Sequence, residues 1–175
     1  MRVSLRPIER CDTDNILKWR NNDNVRLNFV FQDVLSKEAH ENWLTNFIDV
    51  GKAAQFIIVV DGFGDIGSVY LRDIDMRHRK AEFGIFIGED CARGKGFGAE
   101  AAKLIIEHAF NALDLNKVFL RVFADNIYAI KSYESSGFVK EGCFIEDVII
   151  DNKPCDIVFM ALLRSKYERN WRKDS

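Results

Sequence analysis

Residues 81–98 read AEFGIFIGEDCARGKGFG, and this stretch decides the fold of the chain. Its first half has the apolar pattern of a strand that ends at Gly88, and a short acidic loop follows. Closely spaced glycines then lead directly into an amphipathic helix predicted over residues 99–113. Glycines leave backbone N–H groups uncovered, and a helix start adds unpaired N–H groups and a positive dipole end. The stretch therefore predicts a strand–loop–helix unit that binds phosphate groups.

Three known glycine-loop patterns are candidates for this segment. A Walker loop requires Gly-x-x-x-x-Gly-Lys-Ser/Thr, a string that the sequence lacks. A dinucleotide-binding loop requires Gly-x-Gly-x-x-Gly after the first strand, whereas these glycines are spaced two apart and lie in mid-chain. The third pattern, Arg/Gln-x-x-Gly-x-Gly/Ala, is matched by Arg93, Gly96 and Gly98. The alternative without a ligand is a strand-to-helix turn that needs glycine for steric reasons alone.

A second motif follows downstream. Apolar residues over 117–124 predict a buried strand, after which Asn126 caps a helix that stops at Gly137. The string NIYAIKSYESSGF (residues 126–138) and the loop at residues 93–98 resemble, in the same order, two motifs of the GCN5-related N-acetyltransferase superfamily. The resemblance covers residues 80–163 and extends plausibly to residue 1.

The resemblance implies that acetyl-coenzyme A (acetyl-CoA) binds as co-substrate, with its pyrophosphate on the glycine loop and its pantetheine beside the preceding strand. It implies neither a metal ion nor an acyl-enzyme. The residues expected to bind acetyl-CoA are Phe86, Ile87, Arg93, Gly94, Lys95, Gly96, Phe97, Gly98 and Asn126. Asn126 is expected to cap its helix as well, because its side chain has several hydrogen-bonding positions.

Two residues are candidates for the chemistry. Tyr133 matches the tyrosine with which the superfamily protonates the departing thiolate; the alternative is a core tyrosine with a satisfied hydroxyl. Glu82 is the candidate general base, because it shares a strand face with Gly84, which would leave room for a cleft. Some members of the superfamily use a glutamate on this strand. The alternative is a surface glutamate paired with Lys80 or Arg79.

The first 75 residues, which the superfamily shares least, are expected to bind the acceptor amine. They resemble the branch that acetylates amino-sugar nucleotides, of the pseudaminic acid pathway type. Aromatic side chains suit a sugar or base, and arginines suit a diphosphate. The candidate substrate-binding residues are Trp19, Arg20, Arg26, His40 and Trp43. The alternatives are core tryptophans, a solvated Arg20 and a histidine on a helix surface.

The main prediction is therefore direct transfer of acetyl from acetyl-CoA to a primary amine in a ternary complex, with a 4-amino sugar nucleotide as acceptor. Ribosomal-protein N-terminal acetyltransferases and spermidine or other polyamine acetyltransferases share much of this frame and stay open. A polyamine would favour a denser acidic patch than the carboxylates of residues 73–90 provide. The alternative from another class is a non-catalytic acetyl-CoA-binding sensor, against which the presence of Tyr133 and Glu82 argues.

The predicted element order is β-α-α-β-β-β-α-β-α-β-β, an α/β fold with a mixed, mostly antiparallel central sheet and helices on both faces. The last two strands are spaced as a hairpin, and a helix after Ser36 would bury Ala39, Trp43 and Phe47, with Leu44 and Ile48 as further candidates. The resemblance implies that the fourth and fifth strands splay apart to admit the pantetheine. We expect one N-acetyltransferase domain over residues 1–165 and a charged, frayed tail over 166–175.

Composition restricts the class of protein. The 175 residues suffice for one domain, and 47% hydrophobic with 30% charged residues is typical of a soluble globular protein. A net charge of −2 points to no nucleic-acid or membrane partner, and no apolar run has the length of a membrane span. The cysteines lack zinc spacing and disulfide density. We expect a cytoplasmic protein whose partner is a small-molecule amine, and a homodimer stays possible.

Overall fold

The computed structural model of the chain describes the backbone of residues 1–171 and the side chains of residues 1–169. The strands in this part are β1 (Val3–Pro7), β2 (Ala54–Val60), β3 (Gly64–Asp75), β4 (Lys80–Ile87), β5 (Lys117–Phe123), β6 (Val139–Ile150) and β7 (Lys153–Leu163). The α-helices are α1 (Thr13–Arg20), α2 (Asp23–Arg26), α3 (Lys37–Trp43), α4 (Phe97–Glu107), α5 (Ile127–Ser135) and α6 (Arg164–Trp171). A π-helical turn extends α3 over Leu44–Ile48, and another extends α4 over His108–Ala112.

The strands form one sheet in the order β1-β2-β3-β4-β5-β7-β6. Neighbouring strands are antiparallel except β4 and β5, which are parallel and are connected through α4, as a parallel pair requires. The predicted hairpin is β6–β7, and it turns at Asp151 and Asn152, whose φ angles of 48° and 59° suit a tight hairpin turn. The sheet confirms the predicted fold class; α2 and α6 are additional to the predicted order.

The parallel pair β4–β5 is short. Its registered pairs run only from Lys80–Lys117 to Glu82–Phe119, after which the two strands separate. Beyond that point β4 is still held by β3, and β5 is held by β7 along its whole length. The splay that the resemblance implied is therefore present, and it opens a V-shaped gap near the centre of the sheet.

An apolar core lies on each face of the sheet. The larger core includes Phe83 of β4 and Ile105 of α4, and residues of α5 pack against it. The smaller core includes Phe86 of β4, Trp19 of α1 and the buried Leu44 after α3. Phe83 and Phe86 reach different cores because odd and even positions of a strand point to opposite faces. Helices on both faces are thus explained by two separate apolar faces of one sheet.

The buried face of α3 differs from the prediction. His40 and Leu44 are buried, whereas Ala39 is exposed and Phe47 is 37% exposed. His40 is tied to α1, because its Nδ1 atom lies 3.1 Å from the hydroxyl oxygen of Thr13. His40 is therefore a core residue, neither a substrate-binding residue nor the surface histidine of the alternative.

The C-terminal segment was expected to fray, yet it forms α6. The ring of Tyr167 is buried and lies 4.9 Å from that of Phe110 between centroids. Arg164, at the start of α6, donates through Nε to the carbonyl oxygen of Leu115 at 2.9 Å. The helix thus extends past residue 165, where the domain was predicted to end, as far as Trp171, and residues 172–175 of the predicted tail lie outside the described residues.

No helix within residues 1–171 has the combined length and apolar character needed to cross a bilayer. The same residues bring together no group of three or more His, Cys, Asp or Glu side chains that could hold a metal ion. The cysteines at positions 11, 91, 143 and 155 are free.

Candidate active site

A cavity of about 850 Å³ lies in the gap between β4 and β5. On one side its wall comes from the glycine loop before α4 and from α5. On the other side it comes from α1, β3 and the segment of residues 28–31. A cavity that passes through the sheet can hold two reactants side by side, as a direct group transfer requires.

The glycine loop has the geometry of an anion-binding site. Gly94 and Gly96 have φ angles of 70° and 85°, a conformation that other residues rarely adopt, and Gly96 is the N-cap of α4. Arg93 donates through Nε to the carbonyl oxygen of Ile87 at 3.2 Å, and its Nη1 lies 3.2 Å from the carboxylate of Asp90. Its Nη2 is buried without a hydrogen-bond partner among the described residues. An unpaired guanidinium nitrogen beside a helix N-terminus fits the pyrophosphate of acetyl-CoA.

The other loop and strand residues divide into two groups. Phe86, Ile87 and Gly98 line the cavity, and the first two lie on the part of β4 that has no β5 partner. That part of the strand leaves backbone groups available to an amide of the pantetheine. Lys95 is exposed and the Phe97 side chain is buried in the larger core, so neither belongs to the cavity wall.

Tyr133 lies on α5 and lines the cavity. Its ring makes edge contacts with Phe83 and Phe138, at centroid distances of 6.0 and 6.1 Å. Burial raises the pKa of its hydroxyl to about 12, and the neighbouring Tyr70 acts in the same direction. The hydroxyl therefore keeps its proton at neutral pH and can act as a donor.

Asn126 has the expected capping role and also connects two walls of the cavity. Its Oδ1 accepts from the backbone N–H of Ala129 at 3.1 Å, and its Nδ2 donates to Oδ1 of Asn28 at 3.1 Å. Asn28 belongs to the segment that follows α2. The start of α5 is therefore fixed against the side of the cavity where the acceptor is expected.

Glu82 lies at the branch point where β4 and β5 separate, and it forms ion pairs with two arginines. Nε and Nη2 of Arg72 each lie 3.0 Å from one of its carboxylate oxygens, and Nε and Nη2 of Arg121 lie at 3.0 and 3.1 Å. Burial alone would raise the pKa of Glu82, but the hydrogen bonds from the two arginines outweigh burial and lower it. Its partners are Arg72 and Arg121, and not Lys80 or Arg79 as the alternative supposed.

Tyr70 fills the space that was expected to be open above Gly84. The two residues face each other across β3 and β4, and a Cβ atom on Gly84 would lie 2.3 to 2.5 Å from the Tyr70 ring and hydroxyl. Burial raises the pKa of Tyr70, although the charges of Arg72 and Arg20 act against this. Gly84 is thus required by the position of a second phenol in the cavity wall.

Arg20 is the only one of the five predicted acceptor residues that lines the cavity within the described chain. Its guanidinium carbon lies 3.8 Å from the centroid of the Phe29 ring. Nη1 of Arg20 is buried and has no hydrogen-bond partner among the described residues. Burial and the neighbouring charge of Arg72 lower the pKa of Arg20, so an anionic ligand would stabilise its charge.

The other four candidates lie away from the cavity wall. Trp19 is 1% exposed, packs against Gly88 and donates to Glu89, while His40 is buried under α1. Trp43 donates to the side chain of Gln55 at 2.8 Å and stacks on Phe47. Arg26 donates to the carbonyl oxygen of Gln32 and to Asp23. All four are structural contacts, so they are not part of the proposed acceptor site.

Four residues of the cavity wall were not predicted from the sequence: Tyr70, Arg72, Arg121 and Phe29. A signal for two of them was present: Tyr70 and Arg72 alternate along β3, and strand partners of a candidate residue belong to the same face. Arg121 was also visible as a cation in the middle of a strand of apolar residues. The pairing of all three around Glu82 depends on sheet register, which the sequence pattern does not give.

The parallel β4–β5 splay, the left-handed glycine loop and the buried tyrosine together define an acyl-CoA-dependent N-acetyltransferase. A family model for the acetyltransferase (GNAT) domain matches residues 2–139, and the chain belongs to this family. It is an N-acetyltransferase that uses acetyl-CoA, as the sequence motifs predicted.

Spermidine acetyltransferases are among the relatives of the chain. The chain is 32% identical to spermidine N(1)-acetyltransferase of Vibrio cholerae, over 94% of this chain and 95% of the relative. It is 30% identical to that of Escherichia coli K12, over 94% of this chain and 88% of the relative. The crystal structure of the Vibrio cholerae spermidine N-acetyltransferase with CoA and spermine matches with a TM-score of 0.88 at 32% identity, covering 94% and 97% of the two chains.

These relatives bear on two predictions. They confirm the acetyltransferase family and the binding of CoA by similar structures. They do not support the resemblance of the N-terminal half to amino-sugar-nucleotide enzymes; they favour the spermidine alternative instead.

Proposed function

We propose that the chain acetylates the primary amine of a small molecule that also carries an anionic group, with a 4-amino sugar nucleotide as the first candidate. The observation that carries this choice is the buried, unpartnered Nη1 of Arg20 in the cavity wall. A buried guanidinium donor requires an acceptor. The diphosphate of a sugar nucleotide would supply one through charge-assisted hydrogen bonds, and Phe29 beside it offers an aromatic face.

The charges of the cavity support the same choice. The charged side chains that line it are those of Arg20, Arg72, Arg93, Arg121, Asp73 and Glu82. Glu82 is neutralised by two arginines, and Asp73 is exposed with its carboxylate 4.0 Å from Arg72. Cations therefore outnumber free carboxylates, which would attract an anionic acceptor and repel a polyammonium one.

The proposed reaction is a direct attack within a ternary complex. Arg93, the loop N–H groups and the unpaired part of β4 would hold acetyl-CoA, which supplies the thioester. The acceptor amine would approach from the side of Arg20. Tyr133, which is protonated at neutral pH, would give its proton to the departing thiolate.

Spermidine is the second candidate. It is favoured by similarity over 94% of the chain to spermidine acetyltransferases of two bacteria. It is opposed by the charge of the cavity, because a polyamine is recognised best by carboxylates. The two candidates thus rest on independent observations and are separated by one assay.

The assay measures thiol release from acetyl-CoA with a 4-amino sugar nucleotide, spermidine and a ribosomal-protein N-terminal peptide as acceptors. We expect kcat/KM for the sugar nucleotide to exceed that for spermidine by roughly tenfold or more. The Tyr133→Phe variant serves as the control for thioester hydrolysis that does not depend on the enzyme's acid. A preference for spermidine would replace the first candidate by the second. If none of the amines causes thiol release although acetyl-CoA binds, the result would favour the non-catalytic acetyl-CoA-binding sensor.

A further inference from the structure

Guanidinium groups surround the carboxylate of Glu82. A carboxylate offers about four lone-pair sites. Glu82 accepts three hydrogen bonds, from Nε of Arg72 and from Nε and Nη2 of Arg121, at 3.0 to 3.1 Å, and Nη2 of Arg72 lies 3.0 Å from Oε1. A general base must have a lone pair within hydrogen-bond reach of the proton that it removes. Because guanidinium nitrogens crowd both oxygens, this arrangement disfavours Glu82 as the base.

The rest of the described cavity wall offers no substitute base. The titratable and charged groups that line it are Arg20 on α1, Tyr70, Arg72 and Asp73 on β3, Glu82 on β4, Arg93 before α4, Arg121 on β5, and Tyr128 and Tyr133 on α5. Burial raises the pKa values of Tyr70 and Tyr133, which keeps both phenols protonated. Asp73 is exposed at the edge of the cavity, and the histidines lie outside the wall.

The three residues at the branch point form a unit that we call the Arg72–Glu82–Arg121 triad. Two guanidinium groups and one carboxylate give it a net charge of +1, and it is held in place by two hydrogen bonds from Arg121, one from Arg72 and a further ion-pair contact of Arg72. The three members line the same cavity as Tyr70 and Tyr133. The triad is thus close to the group that would protonate the thiolate, and so to the reacting atoms.

We propose that the triad activates the acceptor by its net positive charge, which favours the uncharged form of the bound amine, with Glu82 as the residue that positions both arginines. A nearby cation has this effect because it disfavours a second positive charge. The unit consists of Glu82 and the two arginines that form ion pairs with it, so Arg20 is left out. The inference rests on the proposed amine acetylation but not on which amine is the acceptor.

Every proton in the proposed acetyl transfer is accounted for. The ammonium group of the acceptor releases one proton to water on binding, and its nitrogen lone pair then attacks the thioester carbonyl carbon. The C–N bond forms, the C–S bond breaks, and the thiolate takes the proton of Tyr133. Tyr133 recovers a proton from the nitrogen, directly or through water. The products are an amide, a thiol and the one proton in solution.

The test is the pH dependence of the single-turnover rate with spermidine or the amino-sugar nucleotide, whichever wild type acetylates, because this rate isolates the chemical step. Glu82→Gln makes the site more positive and should move the acid limb of the profile down by about one pH unit. Arg72→Gln should move it up by about as much. Arg72→Lys, which keeps the charge, should leave the limb at the wild-type pH even if the rate falls.

Each outcome bears on the proposal. If Glu82→Gln lowers the rate by roughly 10²–10⁴-fold at every pH, Glu82 is a proton acceptor and the proposal is overturned. An acid limb that stays at the wild-type pH in Arg72→Gln would also overturn it, and this variant leaves Glu82 paired with Arg121. If wild type acetylates none of the amines, the proposed function fails first and the inference fails with it. If wild type is active but the acid limbs of the variants stay at the wild-type pH, this inference is overturned and the proposed function stands.

Discussion

At the scale of single residues, the surroundings of the ionisable side chains assign them different tasks within one cavity. Tyr133 is partly buried among aromatic rings, and burial keeps the proton on its hydroxyl far above neutral pH. Glu82 is buried, but two arginines hold it ionised. Burial raises the pKa of an acid and cationic partners lower it, so the balance between the two differs at each site.

The Tyr133→Phe substitution should slow turnover by roughly 10²–10⁴-fold, the usual range for a lost general acid. It should leave the affinity for acetyl-CoA unchanged, because the phenyl ring keeps its contacts with Phe83 and Phe138. Steady-state kinetics and isothermal titration with CoA measure the two quantities. An unchanged turnover would reduce Tyr133 to a packing residue.

Gly84→Ala should destabilise the fold, because its Cβ would lie within 2.5 Å of the Tyr70 ring. Overpacking of this kind costs about 1–3 kcal/mol. Urea denaturation measures the loss. The matched control is Gly142→Ala, also in a strand, where a Cβ meets no atom within 4 Å. Equal stability of the two variants would show that Tyr70 moves aside at little cost.

At the scale of elements, the glycine loop and the first turn of α4 act together. The left-handed φ angles of Gly94 and Gly96 shape the loop, and the helix that follows contributes unpaired N–H groups. Neither part would form this anion site alone. The substitution of one glycine therefore tests the whole unit.

Gly96→Glu should abolish the stabilisation by acetyl-CoA, because it adds bulk and a negative charge where the pyrophosphate is expected. Wild type should gain about 2.7 kcal/mol at a ligand concentration of 100 times Kd. A thermal-shift titration measures this gain. Gly62→Glu is the control, since Gly62 has a similar φ of 83° in a turn outside the cavity wall. A full shift in Gly96→Glu would mean that the binding site is wrong.

The packing of α3 on α1 leads to a prediction about pH. Burial lowers the pKa of His40 below its ordinary 6.5, so the unfolded chain binds more protons than the folded one as the pH falls below that value. Stability should be fully present above about pH 6.5 and decline below it. Urea denaturation from pH 7.5 to 5 should give a smaller decline for His40→Gln than for wild type.

Two features affect the pH dependence that urea denaturation would measure. Burial also lowers the pKa of His108, which therefore contributes to the same decline and leaves part of it in His40→Gln. The His40→Gln substitution also alters the contact between His40 and Thr13, so the slope of stability against pH, and not the stability itself, is compared. A slope that is the same in wild type and His40→Gln would contradict the prediction.

At the scale of the whole molecule, the acceptor side of the cavity is assembled from parts that are distant in the chain. Arg20 lies on α1, Phe29 follows α2, and Tyr70 lies on β3. Arg121, on β5, reaches the same region through Glu82. The charge of the acceptor side is therefore a property of the tertiary fold, and it differs from what similarity to spermidine enzymes alone would suggest.

The Arg20→Ala substitution should raise the KM for an anionic acceptor by about 10- to 100-fold, the effect of losing a charge-assisted hydrogen bond of about 1.5–3 kcal/mol. The KM for acetyl-CoA should stay nearly the same. Arg26→Ala is the comparison, because Arg26 is bound to Gln32 and Asp23 outside the cavity wall. An equal rise in both variants, or a rise with spermidine as well, would contradict recognition of an anion by Arg20.

Local patterns in the sequence determined a large part of this protein. The strand, glycine loop and helix of residues 81–113 and the Asn126–Phe138 motif were sufficient for the family, the co-substrate and the class of reaction. These motifs were predictable because periodicity, helix capping and left-handed glycines depend on only a few neighbouring residues. The same locality explains the placement of Tyr133, whose helix follows directly from its cap.

Only the tertiary structure decided which side chains meet in the cavity. Sheet register placed Glu82 beside Arg72 and Arg121, and placed Tyr70 over Gly84. Helix packing placed Trp19 in the smaller core and left Arg20, its neighbour in the chain, in the cavity wall. Adjacent helical positions point in directions about 100° apart, and strands distant in sequence become neighbours only in the sheet, so no local pattern encodes these contacts.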